Sequence, residues 1–262
     1  MEKEIHIKTD GVVLEGILSV PEGASGIVLF VHGSGSSRFS PRNTFVAKEL
    51  QKAGIATLLI DLLTEKEDKI YETRFDIGLL TERLGRVFRW LGNEPGTKDL
   101  AVGLFGASTG AAAALMLAAM FGKGVAAMVS RGGRPDLAMK ELGKVEAPTL
   151  LIVGGEDHGV IELNERAFAA LRCEKKLEIV PGATHLFEES GALERVADLA
   201  AEWFARFFTT SPDAYIGESV GSTGAEEIAI PSKFLDRAEK PAQPPGKTRG
   251  AAKEGYRPLH RK

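Results

Sequence analysis

The sequence predicts an α/β fold in which a mainly parallel sheet of about eight strands is flanked by helices. Three observations carry that expectation. From residue 1 to about 208, short apolar or β-branched runs alternate with helical patterns, the signature of stacked βαβ units. Most of those runs are apolar throughout, as buried strands are. The chain has 262 residues, 44% of them hydrophobic, with a mean hydropathy of −0.05, enough to bury a full-sized core in one domain.

The first two runs, 4–9 and 12–20, flank Asp10-Gly11. That dipeptide suits a tight hairpin, so the pair reads as antiparallel. The later strands are expected at 27–31, 55–60, 100–105, 125–129, 149–153 and 176–180. Between them, 41–53 begins with Pro41 and is followed by Gly54, the polarity of a helix start and stop. Residues 73–91 place Ile77, Leu80, Leu84, Val87 and Leu91 on one helical face, and 193–208 does the same with Val196, Leu199, Ala200, Trp203, Phe204 and Phe207. Both stripes read as core.

After Phe208 the apolar period stops. Residues 209–262 are rich in Pro, Gly, Ser and charge and read as a disordered tail, distinct from a domain at 1–208. The tail is also the basic part. Residues 231–262 hold nine Lys or Arg against three Asp or Glu, whereas the remainder holds 24 against 33. Without interleaved aromatics or a basic amphipathic helix, the tail reads as solvated and not as a nucleic-acid-binding segment. No basic leader followed by an apolar run opens the chain, and no apolar stretch approaches membrane-spanning length. Cys173 is the single cysteine, which fits a reducing compartment, so a cytoplasmic location is expected. Oligomeric state is left open.

Two segments match GxSxG: Gly106-Ala107-Ser108-Thr109-Gly110 and Gly217-Glu218-Ser219-Val220-Gly221. Placement separates them. Ser108 follows the expected strand 100–105 and precedes the small-residue run 111–120, which is strand, sharp turn and helix. Glycines at 106 and 110 relieve crowding at that turn, and the helix start aims free N–H groups at a developing oxyanion. Ser219 has neither element. Ser108 is therefore the expected nucleophile.

A serine hydroxyl needs an imidazole to take its proton and a carboxylate to hold that imidazole. Asp157, in Gly154-Gly155-Glu156-Asp157-His158-Gly159, follows the strand 149–153, and His185, in Pro181-Gly182-Ala183-Thr184-His185-Leu186-Phe187, follows the strand 176–180. Parallel strands share their C-terminal edge, so both should meet Ser108 there. Glu156 is the alternative acid. Asp61 reads as a structural or pocket residue. The loop His32-Gly33-Ser34-Gly35-Ser36-Ser37 matches the HG-type segment that supplies a second oxyanion donor. The expected donors are the N–H groups of Thr109 and Ser34, with His32 bracing the loop. No cofactor motif and no metal-binding spacing is present.

With these motifs in order, residues 1 to about 208 resemble the dienelactone hydrolase branch of the α/β-hydrolases. The resemblance implies an eight-stranded sheet and a triad of Ser108, Asp157 and His185. Dienelactone hydrolases carry cysteine in GxCxG, where this chain has serine. The run 103–110 is also similar to hydrolase domains found fused to phosphoribosyltransferases, although no phosphoribosyl-pyrophosphate loop occurs in the chain.

The twenty or so residues between Val129 and Thr149 are too few for a large cap, so an open site is expected. Arg38, Arg42 and Arg131, with Arg74 and Arg134, are candidates to line its mouth and favour an anionic ester. The expected activity is hydrolysis of a carboxylic ester or lactone through an acyl-Ser108 intermediate, with activity falling on the acid side of about pH 6.5 as imidazole is protonated. The alternatives are acyl transfer by the same residues and a non-catalytic binding module on the same fold.

Overall fold

The computed structural model describes residues 2–9 and 11–208. The expected tail at 209–262, with Ser219, lies outside the described residues. Eight strands form one sheet: β1 (Glu2–Thr9), β2 (Val12–Ser19), β3 (Gly26–Val31), β4 (Ala56–Ile60), β5 (Ala101–Ala107), β6 (Ala127–Arg131), β7 (Thr149–Gly154) and β8 (Lys175–Val180). Their spatial order is β1-β2-β4-β3-β5-β6-β7-β8. β1 and β2 form the antiparallel hairpin, β2 joins β4 antiparallel, and every later pairing is parallel.

Helices cover both faces: α1 (Pro41–Lys52), α2 (Glu65–Asp68), α3 (Ile77–Leu91), α4 (Thr109–Phe121), α5 (His158–Ala170) and α6 (Ala192–Phe208). β3 explains why so many strands are apolar throughout. Its Ile27, Leu29 and Val31 enter the core beneath α3 and α4, while Val28 and Phe30 enter the core beneath α1 and α6. The period-two alternation therefore points into two cores, and no position is left for a polar residue.

Local signals set the helix starts. Ser40 caps α1 by accepting from the N–H of Asn43, with Pro41 at its first position. Asp76 caps α3 by accepting from the N–H of Leu79 at 2.9 Å, so the helix expected from 73 is split there into a short turn, Thr73–Phe75, and α3 proper. α5 was not foreseen, and β6 begins two residues later than expected and runs to Arg131. Between β6 and β7 the chain makes only two single-turn helices, Pro135–Ala138 and Leu142–Lys144, so no cap is inserted between these strands. Among the described residues no helix is long and apolar enough to cross a membrane.

Candidate active site

Ser108 sits between β5 and α4 with φ 50° and ψ −124°, a left-handed backbone that a non-glycine residue rarely adopts. The turn is held on both sides. The Ser108 N–H donates to the Arg131 carbonyl at 3.3 Å, and the Ser108 carbonyl accepts from the N–H of Arg134 at 3.0 Å. The flanking glycines are required by space. A Cβ on Gly106 would stand 2.4 Å from Ala111 Cα, and one on Gly110 would stand 2.3 Å from the Val31 carbonyl oxygen. Both contacts are with backbone, which has little room to give. α4 is buried nearly all round by its alanines, which lets it lie this close to the sheet.

Asp157 and His185 come together as their strand ends suggest. His185 Nδ1 lies 2.6 Å from Asp157 Oδ2. An ionised carboxylate only accepts, so in the neutral imidazole the proton of this bond is on Nδ1 and Nε2 keeps its lone pair. Backbone bonds stitch the two loops together: Gly155 N–H donates to the Val180 carbonyl at 2.8 Å, and Glu156 N–H to the Ala183 carbonyl at 2.9 Å. Asp157 is the N-cap of α5. Phe187, two residues past the histidine, has φ 56° and is 1% exposed. Its ring plugs the core beneath α1 and α6 and anchors the histidine loop there. The imidazole borders Gly132, where an added Cβ would lie 3.4 Å from His185 Cε1. Gly132 directly follows Arg131, whose carbonyl holds Ser108, so the ring and the serine flank the same short stretch. Among the described residues Ser108 Oγ has no hydrogen-bond partner. Glu156, the alternative acid, is exposed and lies 3.8 Å from His158, whereas the carboxylate bonded to His185 is that of Asp157.

The loop after β3 packs against the serine. A Cβ on Gly33 would stand 2.9 Å from Ser108 Cβ. The N–H of Ser34 is engaged, donating to Thr109 Oγ1 at 2.9 Å, so the two residues expected as oxyanion donors are joined by a threonine hydroxyl that reaches back from the first turn of α4. The N–H of Thr109, in that same turn, has no intrahelical acceptor. His32 braces the loop as expected. Its Nδ1 donates to the Gly33 carbonyl at 2.9 Å, and its Nε2 lies 3.3 Å from Asp61 Oδ1 without hydrogen-bond alignment. Asp61 also accepts from the Arg38 N–H at 2.6 Å and pairs with the Arg38 guanidinium. Burial pushes the Asp61 carboxyl up, but the contacts from His32 and Arg38 outweigh it and hold the group below its ordinary value.

The arginines expected to greet an anionic substrate have other engagements. Arg38 is shared by Asp61 and Glu15, Arg42 reaches Glu188 at 2.9 Å, Arg74 is bound by Asp68, and Arg134 grips Asp136 through two bonds of 2.8 Å. Arg131 differs. It is 7% exposed, bonded to Asn43 Oδ1 at 3.3 Å and 5.8 Å from the Phe187 ring centre. Burial, with Arg42 nearby, brings its guanidinium down to about 10, so it remains a cation at neutral pH. Each of these side chains is thus paired within the chain or buried. Sequence reasoning missed that Phe187 anchors the histidine loop and that the leucines at 62, 63 and 80 line a cleft beside the Gly33 loop. The Leu-Phe pair following a histidine in a glycine-rich loop was the available signal for Phe187.

The profile of the dienelactone hydrolase family matches residues 14–210. A dienelactone hydrolase of known structure from Anabaena variabilis is 56% identical, with a TM-score of 0.77, covering 79% of this chain and 98% of that one. Est1E from Butyrivibrio proteoclasticus, 16% identical with a TM-score of 0.67 over 78% of this chain and 98% of that one, shares the fold. Two Mycobacterium tuberculosis proteins with provisional phosphoribosyl transferase names, MT0597 of strain CDC 1551 and Rv0571c of strain H37Rv, are 56% identical over 203 residues. That stretch is 78% of this chain and 46% of theirs, so the chain spans about half the length of these relatives. With a profile that covers most of the chain and relatives at this identity, the chain belongs to the dienelactone hydrolase family of α/β-hydrolases.

Proposed function

We propose that this hydrolase-family chain cleaves a carboxylic ester or lactone through an acyl-Ser108 intermediate, with His185 as general base and acid and Asp157 as its orienting carboxylate. The observation that carries the reading is the 2.6 Å bond from His185 Nδ1 to Asp157, formed beside a serine held in a left-handed turn at a helix start. That bond fixes the tautomer whose Nε2 can accept a proton.

In the first half-reaction Ser108 Oγ bonds to the carbonyl carbon while its proton passes to His185 Nε2. The carbonyl electron pair moves onto oxygen, and Asp157 stabilises the imidazolium. The N–H of Thr109 and the N–H of Ser34, which exchanges Thr109 Oγ1 for the more negative oxyanion, bind that oxygen. Each is worth about 3 kcal/mol of barrier. Collapse breaks the ester C–O bond, and the leaving alkoxide takes the proton from His185 Nε2; in a lactone that alkoxide stays tethered to the acyl group. Water then attacks the acyl-serine by the same proton route and frees the acid. A fully protonated His185 cannot accept the serine proton, so activity falls toward acid pH.

The phosphoribosyl transferase names attach to whole proteins about twice as long as the matched stretch. Ser108, Asp157 and His185 all lie within the family match, which favours the hydrolase reading for this chain. The test is labelling by a fluorophosphonate probe, together with hydrolysis of a short aryl ester, in the wild type and in Ser108→Ala. Labelling and turnover should both disappear in the variant. Equal rates in the two proteins would overturn the assignment.

A further inference from the structure

A cleft lined by Gly33, Ser34 and the leucines at 62, 63 and 80, together with His32, Asp68 and Arg74, adjoins the loop beside the serine. Gly33 both lines the cleft and abuts Ser108, so the cleft begins within one residue of the nucleophile. Two of its leucines are fixed by the core: Leu62 is 2% and Leu80 7% exposed, and both pack into the cluster beneath α3 and α4. The walls are therefore preformed. Its arginine is committed to a neighbour in the same lining, since Arg74 Nε donates to the Asp68 carbonyl and its Nη2 pairs with Asp68 Oδ2 at 3.0 Å. The whole cleft has about 20 Å³ of room for the centre of a water-sized group, where a single water needs roughly 10–15 Å³.

We propose that this cleft is the acyl subsite and that it selects short, uncharged acyl chains, with Leu80 and Leu63 limiting its depth. The inference rests on the acyl-Ser108 reading above. An acyl chain leaves the carbonyl carbon beside the oxyanion donors, and the leucines adjoin that loop. Each methylene that fits should raise kcat/KM roughly four-fold. A methylene beyond the space available must displace a core leucine. A carboxylate at the chain end would lose its water among leucines and would find Arg74 already paired with Asp68.

The test is kcat/KM for p-nitrophenyl acetate, butyrate, octanoate and hemisuccinate, the last being the anionic counterpart of butyrate, with fluorophosphonate labelling as the measure of folded active sites. In the wild type, octanoate and hemisuccinate should each fall at least about ten-fold below butyrate. Leu80→Ala should raise the octanoate-to-acetate ratio at least about five-fold, and Leu63→Trp should lower the butyrate-to-acetate ratio, giving a second reading if the core variant folds poorly. Octanoate or hemisuccinate at or above butyrate would overturn the inference. So would chain-length ratios that stay fixed in both variants while labelling is complete. Failure of the wild type to label at all would sink the hydrolase reading, and this inference with it. Labelling with a flat chain-length profile would sink this inference alone.

Discussion

Replacing Asp61 by asparagine should loosen the loop that carries Gly33 and Ser34 and lower both stability and turnover. Asp61 ties the two ends of that loop, contacting His32 at its start and taking the main-chain N–H and guanidinium of Arg38 at its end. The carboxylate side chain is 16% exposed, so these contacts are only partly screened. Asparagine keeps one acceptor oxygen, loses the charge, and turns an N–H₂ toward either Arg38 or His32. Hydrogen bonds to charged groups contribute about 1.5–3 kcal/mol, and breaking a buried pair costs about 3–5 kcal/mol. Glu15 still holds Arg38 Nη2 at 2.6 Å, which argues for the lower end, about 2 kcal/mol in urea unfolding at neutral pH. A donor loop displaced by about 1 Å should lower kcat by about a hundred-fold, with a smaller effect on KM. The Asp61 carboxyl lies below its ordinary value. Its contribution is thus complete above the unfolded value of about 3.9 and is lost as pH falls through the lower folded value. The stability gap between wild type and Asp61→Asn should close in that acid range. A cycle with Arg38→Met isolates the pair and should give a coupling of about 1–2 kcal/mol. A variant within about 0.5 kcal/mol of wild type with unchanged kcat would refute the clamp.

Two further outcomes follow from the same geometry. Glu67 receives bonds of 2.6 and 2.8 Å from the buried Arg83, and these, against some opposition from burial, bring its carboxyl down to about 2. Glu67→Gln should destabilise by about 2 kcal/mol at pH 7, discounted for the glutamate's partial exposure. That difference should vanish as pH drops from about 4.5 toward about 2; a pH-independent gap in urea unfolding would contradict the ion pair's role. Gly110→Ala forces a Cβ to 2.3 Å from the Val31 carbonyl, 0.7 Å inside the 3.0 Å that such atoms keep. It should cost about 1–3 kcal/mol and at least about a hundred-fold in ester hydrolysis; near-wild-type turnover would show that the loop yields more easily than the packing implies.

Strands were legible where their apolar runs were unbroken, as in β3 and β7, because burial on two faces leaves a continuous hydrophobic signal. α5 was not, because only Asn164 and Ala167 of its thirteen residues are buried, too little for an apolar stripe to stand out. The C-terminal shift of β6 escaped notice for a related reason: its last residue is Arg131, a type seldom buried, here enclosed by Asn43 and the Phe187 ring. At the site, the Asp157–His185 contact could be anticipated because each residue follows its own parallel strand. The arginine partners could not be. Arg42 meets Glu188 across 146 residues and Arg38 meets Asp61 across 23, and nothing in a local pattern pairs side chains over such separations. The Ser34–Thr109 bond spans 75 residues and was hidden in the same way, although both residues had been singled out.

Among the described residues the sheet order leaves β1 and β8 at its two ends, and an open end is where a further strand could add by main-chain bonding. Both end strands are studded with charge. β1 exposes Glu2, Lys3, Glu4 and Lys8, and β8 carries Lys176 and Glu178, which are joined at 2.5 Å. Docking another chain there would strip water from these groups without offering them new partners, so each edge resists extension while the apolar strands between them stay enclosed. The same residues that look like ordinary surface charge thus guard the sheet against aggregation from its ends.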